Sequence, residues 1–223
     1  MKRIVTLTIA LILSGAYLSA REQYIYTQIS HDEGLTSTIN SIFKKEDGHL
    51  WIGSQNGLFR FNGTTLRHYK DPVFADKSVY YVGDDSVGDL WILTDDGMLR
   101  RKGSEEIFES IRTDQDNQPF YSMFCDKDGI WFGSIGKIYR FTYRSQELKV
   151  FCDLTEVSPE FTIQQILSPE EGNLMCCSHS GIILLDQATG KVSGKPFASQ
   201  REISAAMIDS KGQIWLAFYN NGI

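Results

Sequence analysis

An all-β fold assembled from repeats is predicted by three features of this sequence. Tryptophan recurs at Trp51, Trp91, Trp131 and Trp215, with forty residues between each of the first three. A glycine sits just ahead of each one, at Gly48, Gly88, Gly129 and Gly212. The chain is also rich in glycine and large aromatics, with Gly 19, Tyr 10 and Phe 13 against only 5 prolines, which favours strands and turns. A hydrophobic content of 42% is ordinary for a folded domain. The formal net charge is -6, from 22 Lys+Arg against 28 Asp+Glu. Such an acidic balance argues against nucleic acid as a partner, because phosphate neutralisation needs clustered cations.

The first element is a leader. Lys2 and Arg3 precede an apolar stretch from Ile4 to Leu13, and small residues follow up to Ala20. This pattern predicts a signal peptide over residues 1–20 and export of the remainder, residues 21–223. The alternative is a retained anchor, but the apolar run is about half of the roughly 20 residues a spanning helix needs. Export permits disulfides without requiring them. Cys176 and Cys177 are neighbours that would face opposite ways on a strand, and no CxxC spacing occurs, so Cys125, Cys152, Cys176 and Cys177 are expected as small buried hydrophobes.

The repeat follows. Between Trp131 and Trp215 the gap is divided by Met175, which carries the same context, Gly172-Asn173-Leu174-Met175. Five units are therefore centred on Trp51, Trp91, Trp131, Met175 and Trp215. Each opens with a β-prone stretch: Ile39 to Phe43, Val79 to Val82, Phe120 to Phe124, Ile163 to Leu167 and Ile203 to Ile208. A turn leads to the tryptophan strand, a second turn such as Asn56-Gly57 or Asp96-Gly97 leads to a third, and an outer strand such as Leu148 to Cys152 closes the unit. Four short antiparallel strands in about forty residues make one blade of a β-propeller. The strands are continuously apolar, as expected where both faces of each sheet are covered. Gly53, Gly133, Cys177 and Ala217, each two positions after the central residue, predict close approach of the next sheet, with Leu93 the exception. All four tryptophans are expected to be structural, and the Met175 blade to pack less tightly.

The stretch from Tyr24-Ile25-Tyr26-Thr27 through Asp32-Glu33-Gly34-Leu35, continuing to Leu50-Trp51-Ile52-Gly53-Ser54 and Gly57-Leu58-Phe59-Arg60-Phe61, closely resembles the start of the two-component regulator propeller. The resemblance extends over residues 24–223. It implies the periplasmic sensor of a hybrid histidine kinase, detecting oligosaccharides and controlling glycan-utilisation genes. It also implies a homodimer in the full-length family, anchored in the inner membrane through parts outside this sequence, with kinase and receiver domains likewise outside it. The chain itself is then not an enzyme and uses no cofactor. The last residues, Phe218 to Ile223, reach the turn where a third strand would begin, so the expectation is a fragment whose fifth blade holds two strands of four.

Catalytic patterns are weak. The four histidines show no metal-ligand spacing, and Gly133-Ser134-Ile135-Gly136 lacks the spacing of a nucleophile elbow. Asp114-Gln115-Asp116-Asn117 lacks the glycine and terminal glutamate of a calcium loop. Asn62-Gly63-Thr64 reads as a turn rather than a glycosylation acceptor. Ligand contact is instead expected on the rim carrying the turns between second and third strands: Gln55, Asn56, Asp95, His179, Tyr219 and Asn220. The starts of the first strands join them, at Asn40, Tyr80, Tyr121 and Gln164. Tyrosine stacking on a pyranose, with Asn or Gln amides bonding its hydroxyls, suits an oligosaccharide. Two rivals remain: a propeller lyase related to those that open cyclic antibiotics, which would need acid/base groups and a metal, and a protein-interaction scaffold.

Overall fold

The computed structural model describes residue 29 and residues 34–111, 118–156, 161–197 and 202–219. The leader at 1–20 and the Asp114–Asn117 stretch lie outside the described residues. The chain separates into two compact units, Met1–Leu35 and Thr36–Ile223. Among the described residues, no helix is long and apolar enough to cross a membrane.

The second unit is a series of antiparallel sheets. Blade 1 comprises β1 (Ile39–Lys44), β2 (Leu50–Ser54), β3 (Gly57–Phe61) and β4 (Leu66–His68). Blade 2 comprises β5 (Val79–Asp84), β6 (Leu90–Thr94), β7 (Gly97–Arg101) and β8 (Glu109–Ile111). Blade 3 holds β9 (Ser122–Cys125), β10 (Gly129–Gly133), β11 (Lys137–Thr142) and β12 (Glu147–Asp153). Blade 4 holds β13 (Gln165–Leu167), β14 (Asn173–Ser178), β15 (Gly181–Asp186) and β16 (Val192–Phe197). Blade 5 has β17 (Ile203–Ile208) and β18 (Ile214–Phe218). Each sheet runs in sequence order from its first strand outward, as the propeller reading requires.

The continuously apolar strands have a direct explanation. On β6, Trp91 and Leu93 pack toward blade 3, with Phe120 and Phe132, while Leu90 and Ile92 pack back toward Trp51 and Leu58 of blade 1. On β14, Leu174 and Cys176 share a cluster with Trp131, whereas Met175 and Cys177 share one with Ile203. Alternate side chains of one strand thus fill two different seams, so consecutive positions Leu90–Leu93 and Leu174–Cys177 are all apolar. The expected close approach is present at Gly133, where an added Cβ would fall 2.4 Å from Ser122 Oγ and 2.5 Å from Ile163 Cγ2. At Gly53 it would fall 2.7 Å from Val79 Cγ1.

Polar ties between blades accompany the packing. Ser122 Oγ donates to Ile163 O at 2.8 Å, and Gln165 exchanges hydrogen bonds with the backbone of Ala206. All four cysteines are free thiols.

Trp51, Trp91 and Trp131 are buried, whereas Trp215 is 48% exposed, because among the described residues no sheet covers the face it shares with Met207. Met175 is fully buried, yet its seam holds the smallest of the four apolar clusters.

Candidate functional site

The rim turns are built alike. Ser54 Oγ accepts the Asn56 N–H and donates to Gly57 O, and Thr94 Oγ1 does the same for Asp96 and Gly97. Ser178 Oγ accepts the Ser180 N–H. A short hydroxyl residue ending the second strand therefore locks the turn in blades 1, 2 and 4. The turns are also fastened to the residue ahead of the first strand: Gln55 N–H donates to Thr38 O, Asp95 N–H to Ser78 O, and Tyr219 N–H to Glu202 O. Ser134 Oγ donates to Pro119 O at 2.7 Å in the same rim.

The first strands carry a second recurring device. Register shifts in β1, β5 and β17 leave Asn40, Tyr80 and Ser204 as extra, unpaired residues. Tyr121 and Gln164 stand just ahead of β9 and β13, where their N–H groups donate to Gly133 O and Cys177 O. Bulges re-aim side chains, and the five residues hold corresponding positions in successive blades.

These devices bring three of the expected residues together. The Tyr80 and Tyr121 rings, from adjacent blades, have centroids 4.8 Å apart with 33° between their planes. Burial raises each phenol above its ordinary value, and the nearby Asp95 charge adds to the rise at both, with Tyr80 contributing at Tyr121. Asp95 Oδ1 is buried without a hydrogen-bond partner. The cluster offers two aromatic faces, two hydroxyl donors and one unoccupied carboxylate oxygen.

The other expected residues are distributed differently. Asn40 donates its side-chain amide to Val79 O at 2.9 Å, a tie between blades 1 and 2. Gln55 and Asn56 line an open cleft of about 510 Å³ with His68, Lys70 and Phe74, where Asn56 O accepts from His68 Nε2 at 2.9 Å. His179 and Tyr219 meet edge to face at 6.4 Å across blades 4 and 5. Gln164 is partly buried beside β14, and Asn220 lies outside the described residues. Asn62 is a turn residue, its Oδ1 accepting the N–H groups of Thr64 and Thr65.

Sequence reasoning missed a charged layer at the other ends of the strands, by the turns between first and second strands. In blade 3, Asp126 Oδ2 accepts the Trp131 indole N–H at 2.7 Å and Oδ1 accepts Arg140 Nη2 at 2.7 Å. In blade 2, Asp85 accepts Trp91 Nε1 at 2.8 Å, while Asp89 takes Nε and Nη2 of Arg100. Asp209 accepts Trp215 Nε1 in blade 5. The arginines lie opposite their tryptophans across the hairpin and stack on them. The available signal was an arginine nine positions after each of Trp51, Trp91 and Trp131.

Residues 34–56 and 105–136 match the family described as two component regulator propeller. No curated protein matches the chain by sequence. Among solved structures, the extracellular domain of a putative hybrid two component system from B. thetaiotaomicron superposes with a TM-score of 0.72 at 16% identity, covering 87% of this chain and 29% of that one. A second such domain from the same organism gives 0.68 at 21% identity, covering 82% and 25%. Virginiamycin B lyase from Staphylococcus aureus gives 0.69 at 19% identity, covering 86% and 66%. This chain thus spans less than a third of the length of those extracellular domains. At these identities the likeness shows a shared propeller fold.

Proposed function

From its two component regulator propeller repeats, we propose that the chain is part of the extracellular sensing region of a hybrid two-component system, and that it binds a saccharide at Tyr80, Asp95 and Tyr121. The carrying observation is the pairing of Tyr80 and Tyr121 from adjacent blades, with the Asp95 charge acting on both phenols. Tyrosine faces suit the apolar face of a pyranose, and a carboxylate accepts hydrogen bonds from its hydroxyls. Export to the periplasm through the leader, dimerisation and membrane anchoring by other parts of the protein belong to the same reading. Binding, not turnover, is the role assigned to these residues. Fold likeness to a lyase carries no chemistry by itself.

Isothermal titration of the full chain against neutral oligosaccharides tests this. Saturable binding weakened about tenfold or more by Tyr121→Ala and by Asp95→Asn is expected. Binding that both variants retain at full strength would sink the assignment of the site. Divalent-metal-dependent turnover would favour the lyase reading instead.

A further inference from the structure

Three arginines converge on one aromatic pair in the seam between blades 1 and 2. Trp51 and Tyr69 stack with centroids 5.5 Å apart. Arg60 and Arg101 lie over the Trp51 ring at 5.6 and 5.3 Å, and Arg67 lies over Tyr69 at 4.6 Å. Arg60 and Arg67 are directly opposed across β3 and β4, and like charges in that register repel. Glu106 bridges them at 3.8 and 3.2 Å, from a loop position where its side chain is 56% exposed. Arg101 is only 6% exposed. Its Nε donates to the Glu105 backbone carbonyl, and among the described residues no carboxylate forms an ion pair with it. The Tyr69 hydroxyl is buried nearby with no hydrogen-bond partner.

Three positive charges therefore face one carboxylate, on a chain that is acidic as a whole. The equivalent arginines of blades 2 and 3 are closed by Asp89 and Asp126. In blade 1 the positions matching Asp85 and Asp89 are Lys45 and His49, and Lys45 reaches away to Asp84 at 3.4 Å and to Gly88 O. A buried guanidinium without a counter-charge is costly, and its planar fork matches the oxygens of a carboxylate or sulfate.

We propose that this seam is an oxyanion-binding site for a carboxylate or sulfate group, with Glu106 as an internal occupant that the ligand displaces from Arg67. The site lies apart from Tyr80, Asp95 and Tyr121 and does not depend on the saccharide reading. An acidic saccharide and a free inorganic ion share the required chemistry.

The test is titration of the full chain with sulfate, glucuronate and a glucuronate-bearing disaccharide, with glucose as control. Ionic strength is held fixed because exposed charges are screened. Affinity is read by calorimetry, and the Trp51 indole N–H resonance, assigned through Trp51→Phe, reports the location. Arg67→Gln is expected to weaken binding about tenfold, and Glu106→Gln to tighten it several-fold. Both side chains are more than half exposed, so the fold should persist, as circular dichroism will check. Tighter binding of the disaccharide than of sulfate identifies an acidic saccharide as the ligand, and the reverse order identifies the free ion. Equal affinity in wild type and both variants means non-specific ion association, and that result, or no saturable binding, overturns the proposal.

Discussion

Blade 3 and blade 1 carry the same tryptophan in the same register, with the same arginine opposite it, yet only blade 3 closes the circuit. There Asp126 joins the Trp131 indole, the Arg140 guanidinium and the turn N–H groups of Asp128 and Gly129. In blade 1 a lysine stands at that point, and Trp51 Nε1 is left buried without a partner. Blade 4 offers a third solution. Trp, Arg and Asp become Met175, Leu184 and Pro169, so the whole polar unit is replaced by apolar or neutral groups at once. The unit behaves as a set: removing every member is tolerated, whereas removing one leaves the others uncompensated.

The largest expected effect comes from removing the ring itself. Trp131→Ala should destabilise the chain by about 3–5 kcal/mol in urea unfolding, whereas half-exposed Trp215→Ala should cost about 1 kcal/mol or less. Similar losses at both sites would show that burial does not separate them. Next, Asp126→Ala should cost about 2–3 kcal/mol, because Arg140 and the indole lose their acceptor together. Trp51→Phe should be milder than Trp131→Phe by about 1 kcal/mol, since only the second deletes a hydrogen bond. An equal cost would break the contrast between the two blades. Gly133→Ala should cost about 1–3 kcal/mol through the clash with Ile163, measured by the same unfolding experiment.

A pH series sharpens the comparison further. Burial alone would raise the Asp126 carboxyl, but Arg140, the Asp128 N–H and the Trp131 indole outweigh it and hold the group below its ordinary value. A folded value below the unfolded one means that the stabilisation is complete above pH of about 4 and is lost as pH falls through the lower, folded value. Melting temperatures of wild type and Asp126→Asn should therefore converge as the medium becomes strongly acidic. A gap that stays constant down to pH of about 2 would contradict the assignment.

The repeat itself was legible because tryptophan, glycine and strand patterns recur locally, within a dozen residues. Close approach at Gly53 and Gly133 could be read for the same reason. The Asp–Trp–Arg unit left only the recurring arginine spacing as a trace, since which carboxylate meets the pair depends on the register across the hairpin. Asn40 also ties to Val79, 39 residues away, a contact that local pattern does not encode. At the candidate site, the tyrosines and Asp95 could be named from the sequence, while the bulge at Tyr80 that sets it beside Tyr121 could not.

Cys176 and Cys177 are chain neighbours, yet Cys176 belongs to the seam between blades 3 and 4 and Cys177 to the seam between blades 4 and 5. Burial drives both thiols upward, Cys177 to about 12, so neither reacts while its seam is shut. Each becomes available to an alkylating reagent only when the blades on its side part. The two labelling rates, resolved by peptide mass spectrometry, would time the opening of two adjacent interfaces from a single strand, with no engineered probe.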